Sequence, residues 1–538
     1  DLFLIGKGIH SYMYRQDTAL YNATLVPSFG YPSSDILLTA GVNTKFSGPA
    51  LQAAIPTGRL AAVTNADVSN YLSKVMIYES NAPALWMKNI VHFAGGANLS
   101  EQSFLYDCIS GSSYSDALIA EDTSFGATVY TFQKTTTAPI QVTLSDSVTS
   151  LINNGVSLMT FFGHASGNNF DINLDGPSDY NNVGKYPMIF AMACFSGDIF
   201  QPAGEALSST SEQFVLSNKG SIGFIAMDDV AEEGHLCDYS HLLYTDFSSA
   251  MYRKPIGQCM QDAAAKDIAG GFDYTTDYTC LEMQLHGDPD IKINGNDSLP
   301  DYAVNDSSLS FIPSSITTQM DSFKLQLVVS NLAKAVNQNV TVEIDRMYPD
   351  GTVKDTFKTI KNIYYQKTLT LTLPVDKVNG PGLNYFTVKV DPSNTIKEIT
   401  KSNNNLFRVP LLITSGDIIP IYPYNFAIIP KDTATLKAST GDPFAAAHNY
   451  VFQIDTTVYF NSPFLKTQLV NAKGGVVRAS WKTWINTPIA PPVYPVGLTG
   501  PPSPLHFKDS TVYYWRVRHD TSDVKDYPYE YSSFQYIT

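Results

Sequence analysis

The sequence predicts a multidomain protein: an α/β domain with a mostly parallel sheet over residues 1–295, then two all-β sandwiches over 300–413 and 417–538. Three observations point there. Short continuous apolar runs alternate with helical patterns before residue 295, and apolar and polar residues alternate strictly after residue 300. At about 150 residues per domain, 538 residues are also too many for one unit.

The first unit carries four runs of the kind that suit strands covered on both faces: Asn89-Ile-Val-His-Phe93, Val156-Ser-Leu-Met-Thr-Phe-Phe162, Met188-Ile-Phe-Ala-Met-Ala193 and Ser221-Ile-Gly-Phe-Ile-Ala226. Between them, Asn65–Tyr78 and Ser145–Asn153 place apolar residues at helical spacing, which makes the unit α/β. Past residue 300 the period becomes two. In Thr368-Leu-Thr-Leu-Thr-Leu373 the leucines share one face and the threonines the other. Phe386, Val388 and Val390 alternate in the same way with Thr387, Lys389 and Asp391, and turns stand at Tyr348-Pro-Asp-Gly351 and Asn379-Gly-Pro-Gly382. The last unit reads as a less regular sandwich, with a Pro-rich stretch from Pro488 to Pro504 and closing strands at Thr511–Arg518 and Ser532–Ile537. In Tyr513-Tyr-Trp-Arg-Val-Arg518 the side chains of Tyr513, Trp515 and Val517 share a face.

Composition narrows the function. Hydrophobic residues at 44% and charged residues at 16% give enough apolar surface for packed cores and argue against general disorder. A formal charge of −15 with no Lys/Arg cluster argues against nucleic acid as a partner. No run is long and apolar enough to span a membrane. Abundant Tyr and Phe with sparse charge suit a secreted or surface protein. The chain opens on Asp1-Leu-Phe-Leu-Ile-Gly6, which reads as a strand in mid-fold without a signal peptide, so a segment upstream is expected to be missing.

Five cysteines, at 108, 194, 237, 259 and 280, leave at least one thiol free, and their spacings fit neither a zinc site nor a dense disulfide framework. Two of the buried runs end in reactive side chains, Gly163-His164-Ala165-Ser166 and Ala193-Cys194-Phe195-Ser196-Gly197. Ligands of open α/β sheets sit beyond the carboxyl ends of the strands, so neighbouring strands would bring His164 and Cys194 into one crevice. An imidazole beside a thiol raises its reactivity by taking or sharing the proton. The backbone N–H groups after His164 and at Cys194 could face a developing oxyanion, and glycine at 163 permits a sharp turn. A lone cysteine or histidine of this kind is otherwise a structural residue.

These residues resemble the gingipain-like cysteine peptidases, a caspase-like α/β family of secreted bacterial proteins. Pro56-Thr-Gly58-Arg59-Leu60 with Lys74 and Tyr78-Glu79 is similar to the family's Gly-Arg segment and following helix. Phe162-Gly-His-Ala-Ser166 resembles the element that carries the family's histidine, and Ala193-Cys-Phe-Ser-Gly-Asp198 the element that carries its nucleophile. Gln284-Leu-His-Gly-Asp-Pro289 resembles the closing Gly-Asp-Pro motif. The resemblance implies that Cys194 forms a thioester with the substrate, that His164 moves the proton, and that the N–H groups of Ala165 and Cys194 hold the oxyanion. Two departures follow. Ala165 stands where the family has glycine, and the stretch Ala94-Gly-Gly-Ala-Asn98 lacks the acid that orients the histidine in arginine-specific members. Glu101 is the nearest carboxylate. It could orient His164, line a substrate pocket, or start a helix capped by Ser100. A dyad is therefore the expected machinery.

After the strand Ser221–Ala226 comes Met227-Asp-Asp-Val-Ala-Glu-Glu233, whose four acids, Asp228, Asp229 and Glu232 foremost, could form a pocket for a basic side chain, a solvated helix start, or a structural calcium site. His235, Cys237 and Cys259 fit no zinc pattern and read as structural, so no catalytic metal or cofactor is expected. Residues 300–413, with Ser330-Asn331-Leu332-Ala333, resemble the cell-adhesion-related bacterial module, and 417–538 resemble fibronectin type III sandwiches. The expectation is a secreted or surface-attached cysteine endopeptidase, or a sortase-like transpeptidase, acting on protein or peptide. Export by the type IX pathway is implied by the resemblance, and the sandwiches would dock other surface or secretion proteins. The rival expectation is an inactive peptidase-fold scaffold or adhesion component of a surface complex.

Overall fold

The computed structural model describes residues 1–538 apart from 24–25, 41–52, 142–144, 167–168, 173, 203–208, 271–273, 294–297, 319, 415–417, 432–434, 481–484, 487–505 and 521–528. The Pro-rich stretch lies outside the described residues.

In the first unit the chain runs β1 (Leu2–Ile5), α1 (Ser11–Gln16), α2 (Thr18–Ala23), β2 (Thr57–Leu60), α3 (Asn65–Glu79), β3 (Asn89–Ala94), α4 (Leu99–Ser110), α5 (Asp116–Glu121), β4 (Thr128–Gln133) and α6 (Ser145–Asn154). It continues with β5 (Leu158–Phe162), β6 (Met188–Met192), α7 (Thr210–Leu216), β7 (Gly223–Met227), α8 (Glu233–Thr245), α9 (Ile256–Gly270), α10 (Tyr274–Glu282) and β8 (Met283–His286). The eight strands form one sheet in the order β1-β2-β8-β7-β6-β5-β3-β4. Within β4-β3-β5-β6-β7 and within β1-β2-β8 all pairs are parallel. The two blocks meet at an antiparallel seam between β7 and β8, so the sheet is mixed at that point.

The continuous apolar runs are explained by burial on both faces. Ile90, Phe162, Phe190 and Ile225 pack under α4, α5, α8, α9 and α10, while Val91, Phe161, Ile189 and Phe224 pack under α3, α6 and α7. A disulfide between Cys108 and Cys237, which the spacing of the cysteines does not announce, staples α4 to α8. By loop-closure entropy a bridge across 129 residues is worth about 5 kcal/mol.

After residue 300 come two sandwiches. The first pairs β9 (Ser322–Asn331) with β11 (Gln366–Pro374) in one sheet, and stacks it on β10 (Asn339–Met347), β12 (Gly382–Val390) and β13 (Asn405–Thr414) of the other. Their inward residues Leu325, Leu327, Ile344, Phe386 and Val388 share one core. The last unit has its own core around Trp515, with Tyr513 and Val517 buried beside it as the alternation predicts.

The first sandwich is docked on the α/β unit by a buried cation. Lys88, fully buried at the start of β3, donates to the carbonyls of Asn331 (3.2 Å), Ala333 (2.8 Å) and Tyr364. Burial pushes its ammonium down to about 7. The Ala335 N–H donates to Ser124 O at 2.8 Å, and Tyr365 Oη donates to Asn89 at 2.9 Å. Gly126 has φ +60, and a Cβ there would stand 2.6 Å from that of Ala335. Lys88→Met would leave three carbonyls without their donor at the seam. The expected loss is about 1–3 kcal/mol, read as a lower unfolding temperature and faster proteolysis between the two units.

Two buried histidines set an acid limit. His92 sits between Ser110 Oγ (2.9 Å) and Tyr244 Oη (2.8 Å), and His286 Nε2 accepts the Ala61 N–H at 3.2 Å. Burial pushes both down to about 3 from 6.5. The unfolded chain takes up these protons near 6.5 and the folded one does not, so their contribution is complete above 6.5 and is lost as pH falls toward 3. Glu282, pushed up to about 7, acts in the opposite sense: its contribution is complete below 4.5 and is lost as pH rises through 7. His92→Gln should therefore flatten the acid side of a urea-midpoint against pH curve. An unchanged slope would rule out His92 as its cause.

Candidate active site

Strands β5 and β6 pair in register from Leu158 with Met188 to Phe162 with Met192. His164 and Cys194 each stand two residues beyond the last pair, and the Gly163 N–H donates to Met192 O at 3.3 Å. On its other side β5 pairs with β3, whose exit leads into α4. Three loops therefore share one edge of the sheet.

The histidine loop is a tight hairpin. Ala165 faces Phe170, Ser166 N–H donates to Asn169 O at 3.0 Å, and Asp171 N–H donates to His164 O at 3.0 Å. Ala165 is not among the residues with positive φ, so alanine is unstrained where the family has glycine. Gly163 is not left-handed either. It is glycine because a Cβ would lie 2.7 Å from Asp171 Oδ1.

The His164 side chain is 54% exposed, and its Nε2 lies 2.5 Å from Glu101 Oε1. Helix α4 delivers that carboxylate. The cap is Asn98 and not Ser100: Asn98 Oδ1 accepts the N–H groups of Ser100 (3.1 Å) and Glu101 (3.2 Å). The Ala97 N–H donates to Glu101 Oε2 at 2.7 Å, fixing the acid in the first turn. Glu233, in the first turn of α8, completes a cluster with Glu101 and His164 whose ligand atoms all lie within 4.8 Å of one another. Burial raises both acids, and the split between them follows from their partners. Hydrogen bonds from Ala97 and Glu233, with the charge of His164, bring Glu101 below its ordinary value. Glu233 rises through burial and through the shared proton and charge of Glu101. Glu233 closes the acidic run after β7, and nothing local to it in the sequence points back across the sheet to α4.

The cysteine loop turns sharply. Phe195 adopts φ 57, a left-handed conformation costly for a bulky residue. It is held there by Phe195 N–H to Asp229 O (3.0 Å) and Gly197 N–H to Met227 O (2.9 Å). Cys194 is half-buried, whereas the other free cysteines, Cys259 and Cys280, are buried. Burial pushes the Cys259 thiol up to about 12 and raises that of Cys280 too. The backbone N–H groups of Ala165 and Cys194 donate to no group among the described residues.

The acids after β7 separate. Asp228 is 1% exposed and faces Glu282; burial and that neighbouring carboxyl raise it well above the carboxylate range. Asp228 is thus turned into the fold toward Glu282 rather than standing open beside Asp229. Asp229 is partly exposed and its Oδ1 accepts the Val230 N–H. Glu232 is exposed and reaches His235 at 3.3 Å. Among the described residues no group of three metal-ligating side-chain atoms includes Asp228, Asp229 or Glu232, whereas Glu233 at the end of the same run joins Glu101 and His164. His235, Cys237 and Cys259 do not converge, since Cys237 is in the disulfide and Cys259 lies in α9.

The remaining motif residues are structural. Arg59 is fully buried, bidentate on Asp35 (2.6 and 2.7 Å), with carbonyls of Gly6, Val26 and Pro27 around it. Lys74 donates to Val215 O and Ser221 O, each at 2.6 Å, and burial pushes it down to about 7. In the closing motif, Gly287 brings its carbonyl to where a Cβ on Gly58 would be 2.4 Å away, and Asp288 N–H donates to Tyr71 Oη at 2.7 Å.

The profile of peptidase family C25 matches residues 1–294. Among solved structures, the arginine-specific cysteine proteinase gingipain R is similar at 12% identity and a TM-score of 0.43, over 76% of this chain and 83% of that one. The complex of Porphyromonas gingivalis RgpB pro- and mature domains gives 12% and 0.43 over 77% and 86%. The crystallised CARDB domain of a Pyrococcus furiosus protein, in complex with di-metal ions, is 18% identical with a TM-score of 0.17, over 21% of this chain and 89% of that one. No curated protein matches the chain. With more than half of its length matched by that one profile, on a mixed α/β sheet followed by β-sandwiches, the chain belongs to peptidase family C25.

Proposed function

We propose that the chain is a cysteine peptidase with Cys194 as nucleophile, His164 as proton carrier and Glu101 as the acid that orients the ring. The observation that carries this reading is the shared sheet edge: the half-buried free thiol Cys194 and the Glu101-paired His164 leave neighbouring in-register strands at the same level.

With Nε2 on Glu101, His164 keeps Nδ1 for the thiol. It takes the Cys194 proton as sulfur attacks the carbonyl carbon, and the Ala165 and Cys194 N–H groups accommodate the oxyanion. The same imidazole then protonates the leaving amine, and the thioester passes to water or to a second amine. Endopeptidase and sortase-like transpeptidase share every step but the last. Glu101 and Glu233 give the site an acidic edge, and Asp229 and Glu232 lie on the loop beside it, a setting that favours a basic substrate residue.

The disulfide favours an oxidising compartment, in keeping with a secreted or surface-attached protein of the type IX pathway. Among the described residues no helix is long and apolar enough to cross a membrane. The sandwiches carry no chemistry of their own in this reading and would hold partners or spacing at the surface.

A thiol reagent at neutral pH should label Cys194 ahead of Cys259 and Cys280, and His164→Ala should slow that labelling about tenfold. Equal rates in both proteins would leave a peptidase-shaped scaffold or adhesion component instead. Glu101→Gln should lower turnover of a profiled peptide by at least about tenfold. Glu233→Gln, which still donates to Glu101, should stay close to wild type. A larger loss at Glu233 than at Glu101 would reverse the assignment of the two acids.

A further inference from the structure

We infer that Asp171, with its buried partner Lys134, is a positioning residue that sets His164 and Glu101 relative to one another. This rests on the cysteine-peptidase reading above.

Asp171 is 5% exposed and Lys134 is 2% exposed. Asp171 Oδ2 accepts Lys134 Nζ at 3.1 Å and the Gly96 N–H at 2.8 Å. Its own N–H donates to His164 O at 3.0 Å, and its carbonyl accepts the Gln141 N–H at 2.9 Å. One residue thus grips two chain segments. One is the hairpin that carries His164. The other is the Gly95–Gly96 exit of β3, two residues before the Asn98 cap that aims Glu101.

The fit is close on both sides. A Cβ on Gly95 would stand 2.2 Å from Asp171 Oδ1, and one on Gly163 would stand 2.7 Å from the same oxygen. Both glycines are therefore spaces made for this carboxylate rather than left-handed turns. Lys134 is anchored independently, through its N–H to Ala94 O at 2.8 Å and through Nζ to Pro139 O at 3.4 Å. Carboxylate, ammonium and two glycine backbones form a buried cluster that ties together the segments carrying the exposed His164 and the largely buried Glu101. Asp171 touches no reacting atom, so its effect on chemistry is through where it holds the imidazole.

The test is the rate of Cys194 alkylation by iodoacetamide as a function of pH, in the intact chain, for wild type, Asp171→Asn, Lys134→Gln and His164→Ala. A fourth variant, Lys74→Met, empties a buried cradle elsewhere as a control for stability loss alone. Asp171→Asn and Lys134→Gln should lower the neutral-pH rate about tenfold and move the profile toward that of His164→Ala, near the ordinary thiol value of about 8.5. Lys74→Met should lose stability and keep the wild-type profile. If Asp171→Asn does not fold, Lys134→Gln decides. Wild-type profiles in both, with His164→Ala shifted, would overturn the positioning role and leave the peptidase reading standing. A wild-type profile in His164→Ala itself would overturn both.

Discussion

In-register parallel pairing of β3, β5 and β6 is the constraint on which the site depends. Register in a covered sheet is fixed by which residues must face which layer of helices. A slip of one residue would turn Phe161 and Phe162 onto the wrong faces and exchange the two cores. The same register that sorts the phenylalanines places residues 164 and 194 level with each other, two steps beyond the last pair. Hydrophobic sorting thus positions a polar site that contributes nothing to the sorting. The loops need only short local devices to finish the geometry: a hairpin at Ala165 and Phe170, and a left-handed Phe195 pinned to the end of β7.

A second theme is how buried cations are satisfied without carboxylates. Lys74 and Lys88 each face several carbonyl oxygens and no acid, at the cost of a strongly lowered ammonium. The carbonyls lie at or near the ends of regular elements, where buried backbone needs further donors. Lys74 gathers the turn after α7, and Lys88 gathers the first sandwich. Arg59 does the same for the chain's opening segment, with Asp35 added. These residues look like site residues in a motif because they are charged and regularly placed. Their burial shows that they hold the scaffold together.

Much of the architecture was legible in sequence because period reports burial. The runs at 158–162 and 188–192 are unbroken since both their faces are covered, and Thr368–Leu373 alternates since one face is wet. His164 and Cys194 were legible as strand-end residues for the same reason. What escaped was everything set by contacts between distant segments. The Cys108–Cys237 bridge spans 129 positions with no local mark. Asp171 follows Asn169-Phe170 in an unremarkable polar stretch, and its importance appears only once Gly95, Gly96 and Gly163 are seen to surround it. Ser100 suits a cap by residue type, whereas the backbone enters α4 two residues earlier, at Asn98. The antiparallel seam at β8 was hidden because a short covered strand has the same pattern in either direction.

The electrostatics of the His164 cluster tie these long-range contacts to the chemistry. Two helix N-termini each welcome an acid, so α4 and α8 would favour ionised Glu101 and Glu233 separately. Brought together, the two carboxyls repel, and the opposition shows as a lowered Glu101 and a raised Glu233. Each shift depends on the other group: beyond the effect of burial, Glu233 is raised by Glu101 standing beside it. Separation of α4 from α8 would relieve the repulsion. The disulfide opposes separation: it joins the same two helices at Cys108 and Cys237, downstream of Glu101 and Glu233 on each. A covalent link remote from both acids thereby opposes separation of the two helices that carry them.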